Sequence, residues 1–401
     1  MNKHRESRRN AYKEYCNVVI SEDSTNAQNI FTPYDLCYDV VHKLETNAGD
    51  FSGKEFLVFN LEFAEVLIHD FGVNPERIAF WTDCNEKRKF AKLKHEGVRH
   101  EKIGLTKGSI IEMANNVKHI DDKNKFDVVI GNPPYQTAKK ITNKKATVGG
   151  TLWDKFVLLS LELVKNNGFV CLVHPPSWRK PDHKIFPILT SNNMQYLEMH
   201  SERDGNKTFG VSTLYDWYVL KKDEQYGSTV VKDQNGVVHD IDLRSKHMIA
   251  NHSFDLVDSI IAKEGEETCE VLYSRSMYGS DKIWMSDTKK GKFKYPCVYS
   301  MVKNGSIGCW YSSKKDKFFE SKVILGWGRY LYPLIDTEGQ YGLTQNTFAL
   351  KVSSAKEAKN IKKAIESDRF KELVKATKWG QFQTDWRMFK YFRKDFWKDF
   401  I

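Results

Sequence analysis

Asn132, Pro133, Pro134 and Tyr135 close an apolar run, FDVVIGNPPY at residues 126–135, and their types define a chemistry. An Asn side-chain oxygen beside a fixed backbone carbonyl can accept both hydrogens of one exocyclic NH2 group. A tyrosine ring offers a flat face to the ring that carries that group. The two prolines lack an N–H and hold φ near about −65°, so the turn is stiff and the carbonyls of Asn132 and Pro133 can face outward unpaired. The substrate these residues suit is a planar amine or amide. An ordinary strand-ending turn would carry the same letters, so the choice between the two rests on the rest of the chain.

Elements able to position this turn can be read on both sides of it. Asp127 to Ile130 is short, β-branched and followed by a breaker, the pattern of a buried parallel strand, which puts Asn132 at the carboxyl edge where open α/β sheets bind ligands. Thr32 and Pro33 precede a helical stripe of Leu36, Val40, Val41 and Leu44, with Thr32 suited to cap the helix and Pro33 to its first position. Lys54 to Asn60 reads as the first strand. Ile78 to Thr82 reads as the second and ends in Asp83, an acidic residue placed either to bond ribose hydroxyls or to cap the following helix. Another short element, Ile103 to Met113, contains Lys107, Gly108 and Ser109. Thr151 to Val164 has helical spacing and is stopped at Asn166 to Gly168; Phe169 to His174 is then a strand, broken at Pro175 and Pro176. Phe209-Gly210-Val211 precedes a late strand, Leu214 to Lys221. The alternation over 30–222 predicts a doubly wound α/β sheet.

A chain of 401 residues, 40% hydrophobic and 28% charged, has the composition of a soluble globular protein and the length of two domains. No apolar run reaches the roughly 18 residues of a membrane span. The start, MNKHRESRRN, lacks an apolar h-region, so a cytoplasmic protein is expected. The seven cysteines are scattered, which suits free thiols rather than a metal site or a disulfide framework. The net charge of +10 favours a polyanionic partner.

The second half has a different texture. Asn235-Gly236 between VVKDQ and VVHDID signals a hairpin. Residues 270–350 are rich in aromatics, glycines and lysines without βα alternation, and Ser354 to Lys378 reads as an amphipathic helical stretch. Lys289, Lys290, Lys292 and Lys294 lie near Tyr295; Lys314, Lys315 and Lys317 follow Trp310 and Tyr311. Basic residues interleaved with aromatics suit phosphate and base contacts, or else a solvated loop. The division expected is a basic arm over 1–29, an α/β domain over 30–222 and an α+β module over 223–401.

The ordered set FTP at 31–33, Asp83, NPPY at 132–135, HPPSW at 174–178 and FGVST at 209–213 resembles the DNA amino-methyltransferases, in particular the γ-type adenine-N6 enzymes of restriction-modification systems. The resemblance covers residues 30–222. It implies a Rossmann-like sheet that uses S-adenosylmethionine, a C-terminal DNA-recognition module, and double-stranded DNA as partner. It places Asn132, Pro133, Pro134 and Tyr135 at the transferred-methyl acceptor and Thr32, Pro33, Asp83 and Ser109 near the cofactor. Phe209 and Tyr135 would stack on the target base. Where the family has a glycine-rich turn after the first strand, this chain reads Phe59-Asn60-Leu61-Glu62-Phe63. Asn60 and Glu62 are then the residues able to hold the cofactor there by side-chain hydrogen bonds, with Glu62 meeting its amino group. The same NPPY chemistry fits RNA and protein-amide methyltransferases, and a glycine-less turn fits an inactive DNA-binding relative.

Overall fold

The computed structural model describes residues 32–82, 96–102, 107–137, 141–142, 145–146, 150–224, 227–302, 305–315, 317–327, 331–380 and 384–401. The expected basic arm and Asp83 lie outside the described residues. Two compact units are present, Met1–Pro176 with Pro187–Ser245, and Ser177–Phe186 with Lys246–Ile401.

The first unit runs through helix α1 (Tyr34–Ala48), β1 (Phe56–Val58), α2 (Leu61–His69), β2 (Ile78–Thr82), β3 (Arg99–Lys102), α3 (Lys107–Val117), β4 (Phe126–Gly131) and a small ribbon of β5 (Ile141–Thr142) and β6 (Lys145–Ala146). It continues with α4 (Trp153–Leu163), β7 (Val164–His174), β8 (Asn193–His200), α5 (Glu202–Phe209), β9 (Tyr215–Lys221), β10 (Thr229–Lys232) and β11 (Val238–Ile241). Nine of these strands form one sheet in the order β11-β10-β8-β9-β7-β4-β1-β2-β3. Strands β3, β2, β1, β4 and β7 are parallel, and β9 enters antiparallel between β7 and β8. The expected Rossmann-like α/β sheet is therefore the fold observed. Its strand order reverses between β1 and β4, and the carboxyl ends of those two strands flank the crevice that such a reversal opens.

Burial explains why these segments form strands. Every residue of β1 and β2 is buried, as parallel strands covered on both faces require. The α1 stripe of Leu36, Val40, Val41 and Leu44 is buried in the same core as Phe56, Val58, Val128 and Ile130. Helix α5 is set by a capping box: Ser201 accepts from Asp204 N–H while the Asp204 carboxylate accepts from Ser201.

Several boundaries differ from the sequence reading. Thr32 does not cap α1: Pro33 occupies the cap position and the helix begins at Tyr34. Asn166 to Gly168 lie inside β7 rather than between a helix and a strand, with Asn167 at φ 63° absorbing the irregularity. Strand β3, sequence RHEK, is a polar strand at the end of the sheet, and Lys107 to Met113 is helical. The hairpin over Asn235-Gly236 forms, with Lys232 opposite Val238 and Gly236 at φ 80°. It belongs to the first sheet, because β10 pairs in parallel with β8. The boundary expected at 222/223 thus falls after Ser245.

The second unit contains α6 (Phe254–Ile260), β12 (Val271–Leu272), β13 (Met285–Ser286), β14 (Tyr295–Met301), β15 (Ile307–Ser312), β16 (Lys322–Gly326), β17 (Leu334–Asp336), β18 (Gly342–Leu343), β19 (Thr347–Lys351), α7 (Ala355–Glu366) and α8 (Asp368–Ala376). The strands make two four-stranded sheets, β12-β19-β16-β17 and β13-β15-β14-β18. The helical stretch expected over Ser354 to Lys378 splits at Ser367, whose side chain accepts from Phe370 N–H and opens α8. No helix among the described residues is long and apolar enough to cross a membrane.

Candidate active site

The carboxyl ends of β1 and β4 are joined by side chains from distant parts of the chain. Asn60 stands at the start of α2 yet makes no capping bond. Its amide instead pairs with the backbone of Asn132, Nδ2 donating to the Asn132 carbonyl at 3.0 Å and Oδ1 accepting the Asn132 N–H. Thr32, fully buried ahead of α1, accepts from Asn132 Nδ2 at 3.2 Å. Two residues expected to cap or to meet a ligand thus hold the Asn132 backbone and amide nitrogen. With Nδ2 committed, the Asn132 Oδ1 is left as an acceptor with no hydrogen bond from a described residue.

The two carbonyls of the turn have different fates. That of Asn132 is taken by Asn60, so it does not face outward as expected. The Pro133 carbonyl receives no hydrogen bond from a described residue. The turn is anchored beyond the prolines as well: Tyr135 O accepts from Leu152 N–H at 3.0 Å, at the entry to α4. Gly131 permits the close approach of β1 and β4, since a Cβ there would lie 2.9 Å from Phe59 Cβ and 3.0 Å from Asn60 Oδ1.

Tyr135 is half-buried with its hydroxyl enclosed and unpartnered among the described residues. Burial raises its pKa well above the ordinary phenol value, with Tyr215 and Asp216 adding to the effect, so the ring stays neutral and its O–H remains a donor. Phe209 does not touch the turn in the interactions described; it packs edge-on against Tyr215 with ring centroids 5.0 Å apart. Tyr215 in turn stacks on His200 at 4.2 Å. The second proline turn, at Pro175 and Pro176, is bound to the sheet by His174, whose Nδ1 lies 3.0 Å from Pro175 O and whose ring stacks on Trp153 at 4.8 Å.

Glu62, in the first turn of α2, is 1% exposed, and both of its carboxylate oxygens are buried without a hydrogen-bond partner among the described residues. A buried carboxylate in that state is costly unless a cation or donors reach it. Pro33 lends its carbonyl to Cys37 N–H within α1. Ser109 lies half-buried on α3. What sequence reasoning missed is the partner of Asn60; a polar residue placed directly after a buried strand was the available signal.

The lysines of the second unit come together. Tyr295 at the start of β14 is opposite Ser312 at the end of β15, and Lys294 N–H donates to Ser312 O. Lys289, Lys290 and Lys292 are thereby brought to the same sheet end as Lys314 and Lys315. All five are exposed and make no ion pair with a described residue. Lys314 lies 3.8 Å over the Trp284 ring and Lys315 5.2 Å over Phe319.

Residues 62–209 match the family model described as Eco57I restriction-modification methylase. The match covers well under half of the chain, and the resemblance to restriction-modification methyltransferases is borne out over that stretch. Similar solved structures include a modification subunit of a putative type I restriction enzyme from Vibrio vulnificus YJ016, at 14% identity over 55% of this chain and 50% of that one, TM-score 0.40. A type I restriction-modification methyltransferase subunit from Streptococcus thermophilus matches at 14% identity over 58% of this chain and 55% of that one, TM-score 0.40. The type IIG restriction endonuclease BpuSI matches at 9% identity over 92% of this chain and 60% of that one, TM-score 0.41. The chain spans about half the length of the first two. No curated protein sequence matches it.

The cofactor implied by a methylase of this family is S-adenosylmethionine, and the residues fit it. Its α-amino group is a cation, which the buried, unpartnered Glu62 carboxylate lacks. In place of glycine-mediated backbone contacts, this chain offers Glu62 from a turn locked by Asn60.

Proposed function

We propose that the chain methylates the N6 amine of an adenine in double-stranded DNA, with the base turned out of the helix into the crevice beside Asn132. The observation that carries this reading is the Asn132 side chain, whose Nδ2 is held by Thr32 and whose backbone is held by Asn60, so that its Oδ1 is left to accept from an exocyclic amine, with the Pro133 carbonyl next along the turn as the second acceptor the reading calls for. The amine of a stacked, paired adenine is out of reach, so the base must leave the duplex.

S-adenosylmethionine, when bound, would supply an electrophilic methyl group and leave as the neutral thioether S-adenosylhomocysteine, and the methylated N6 would then give up one proton to solvent. The chain's own part is to hold and polarise. Adenine N6 is a poor nucleophile because its lone pair is delocalised into the ring. Hydrogen bonds from its two hydrogens to Asn132 and Pro133 strengthen as positive charge develops on nitrogen, which lowers the barrier. Tyr135 gives the extruded ring a face to stack on, and Phe209 on the Tyr215 side is a second aromatic for that role. Glu62, with Thr32, Pro33 and Ser109, would hold the cofactor. Lys289, Lys290, Lys292, Lys314 and Lys315 would neutralise DNA phosphates.

Sequencing of DNA from cells expressing the chain, with detection of N6-methyladenine, tests activity and target together. Methylated adenine in one sequence context is expected, and its loss in Asn132→Ala. Incorporation of labelled methyl into RNA or protein but not DNA would replace this reading with an RNA or protein-amide one.

A further inference from the structure

Ile283 is 88% exposed, the most exposed of the large hydrophobic side chains described. It stands on a turn that is pinned on every side. Lys282 N–H donates to Gly279 O at 3.0 Å, Met285 N–H to Lys282 O at 2.9 Å, and the Gln345 amide spans Ser280 through both of its ends. The next residue, Trp284, donates its indole N–H to Met277 O at 2.8 Å, and its carbonyl accepts Ser313 N–H at 2.9 Å. A fully hydrated Ile held on a rigid turn gains nothing within the unit; its burial requires a partner.

The surroundings of Ile283 indicate which partner. Trp284 lies under Lys314, and β13, which follows it, leads into the loop bearing Lys289, Lys290 and Lys292. Ile283 is therefore the residue next to the ring that Lys314 covers, on the segment that leads into the lysine-bearing loop. The nearby charges Lys282 and Asp281 pair with each other at 2.9 Å, and against the single carboxylate of Asp287 stand Lys289, Lys290, Lys292, Lys314 and Lys315, so the net charge around it is positive. A protein partner with an apolar pocket would have to carry a dense acidic rim. Duplex nucleic acid has both features in one object: phosphates for the lysines and, between base pairs, an apolar gap that opens when a step is unstacked. Insertion of an Ile between base steps beside lysine–phosphate contacts is a known way for proteins to unstack a duplex.

We propose that Ile283 is a wedge that enters a base step of the duplex held by the lysine cluster, unstacking and untwisting it. The inference rests on the DNA-binding reading above. It predicts that the second unit distorts DNA apart from any methyl transfer.

The test compares the full chain with Ile283→Ser and with Lys314→Ala/Lys315→Ala. Covalently closed plasmid is relaxed by a topoisomerase in the presence of increasing protein, and the linking number is read after protein removal. Duplex affinity is measured in parallel at several salt concentrations. The wild type should lower the linking number in proportion to protein bound. Ile283→Ser should bind about tenfold more weakly, keep the wild-type salt slope, and leave the linking number unchanged at saturation. The double Lys variant should instead lower the salt slope. Equal unwinding by wild type and Ile283→Ser at equal occupancy would overturn the wedge while leaving DNA binding intact, as would wild-type binding with no unwinding. Absence of any duplex binding by the wild type would overturn the DNA reading itself.

Discussion

The side-chain amide of Asn60 and the backbone of Asn132 bond reciprocally, donor to acceptor in both directions, across the ends of two neighbouring parallel strands 72 residues apart in sequence. One half of the crevice is thus clamped to the other by a residue in the place where a glycine turn was to be expected. Asn60→Ala removes both bonds and should destabilise the first unit by about 2 kcal/mol, at roughly 1 kcal/mol net per buried bond. Transfer should fall further than stability accounts for, because Asn132 loses its register. Asn60→Asp, which can accept but not donate, should fall between. Denaturant titration beside single-turnover methylation checks this, and an Asn60→Ala chain with wild-type turnover when fully folded would remove the positioning role.

Glu62→Gln should act in opposite directions with and without cofactor. Alone, the variant should be as stable as the wild type or more so, since it replaces a buried unpartnered carboxylate by a neutral group. With S-adenosylmethionine, its thermal shift should be smaller and its affinity lower by about tenfold or more, as expected when a charge-assisted bond is removed. Calorimetry and thermal melts with and without cofactor separate the two. An unchanged dissociation constant would place the cofactor's amino group elsewhere.

His200 gives a stability term that depends on pH. Burial lowers its pKa below the ordinary 6.5, outweighing the opposing pull of Glu198 and Asp204, and Lys232 lowers it as well. The unfolded chain therefore takes up a proton on this residue at a pH where the folded chain does not. Stability contributed by the neutral form is full above pH 6.5 and declines as pH falls from there toward the folded value. His200→Phe, which keeps a ring to stack on Tyr215, should flatten that part of the pH dependence. Melts of both proteins between pH 7.5 and about 5.5 measure the difference; parallel curves would count against it.

Removal of single lysines from the β14–β15 end should weaken DNA binding uniformly across sequences. Each phosphate that is no longer neutralised lowers the slope of log affinity against log salt by about 0.9. Lys314→Ala should give this change without altering which adenine is methylated. A change of target context with an unchanged slope would make Lys314 a base-reading residue.

The parts of this fold that were legible share a physical cause. Buried parallel strands are continuous apolar runs, so β1, β2 and β4 stand out, and the breaker after β4 marks the crevice. Strand β3 was hidden because it lies at the sheet's end, where RHEK can face water. Strand β8, NMQYLEMH, alternates buried and half-buried residues, but the short proline-containing helix before it, Phe186–Thr190, masks where it starts. At the site, Asn132, Asn60, Glu62 and Thr32 were all identifiable by type. Their roles were not, because whether Thr32 caps a helix or turns inward depends on a partner 100 residues away. The lysine groups could be found singly, but only the register of Tyr295 with Ser312 shows that they are one cluster.

The hairpin of β10 and β11 also changes what the first sheet presents at its end. No residue of strand β8 is exposed, half of them being buried, and without β10 its backbone donors and acceptors would form an open template for pairing with another chain. With the hairpin in place the outermost strand is the four-residue VHDI, short and interrupted by His239 and Asp240, a poor surface for strand addition. A segment that reads in sequence as the start of a second domain is thus the first sheet's guard against self-association.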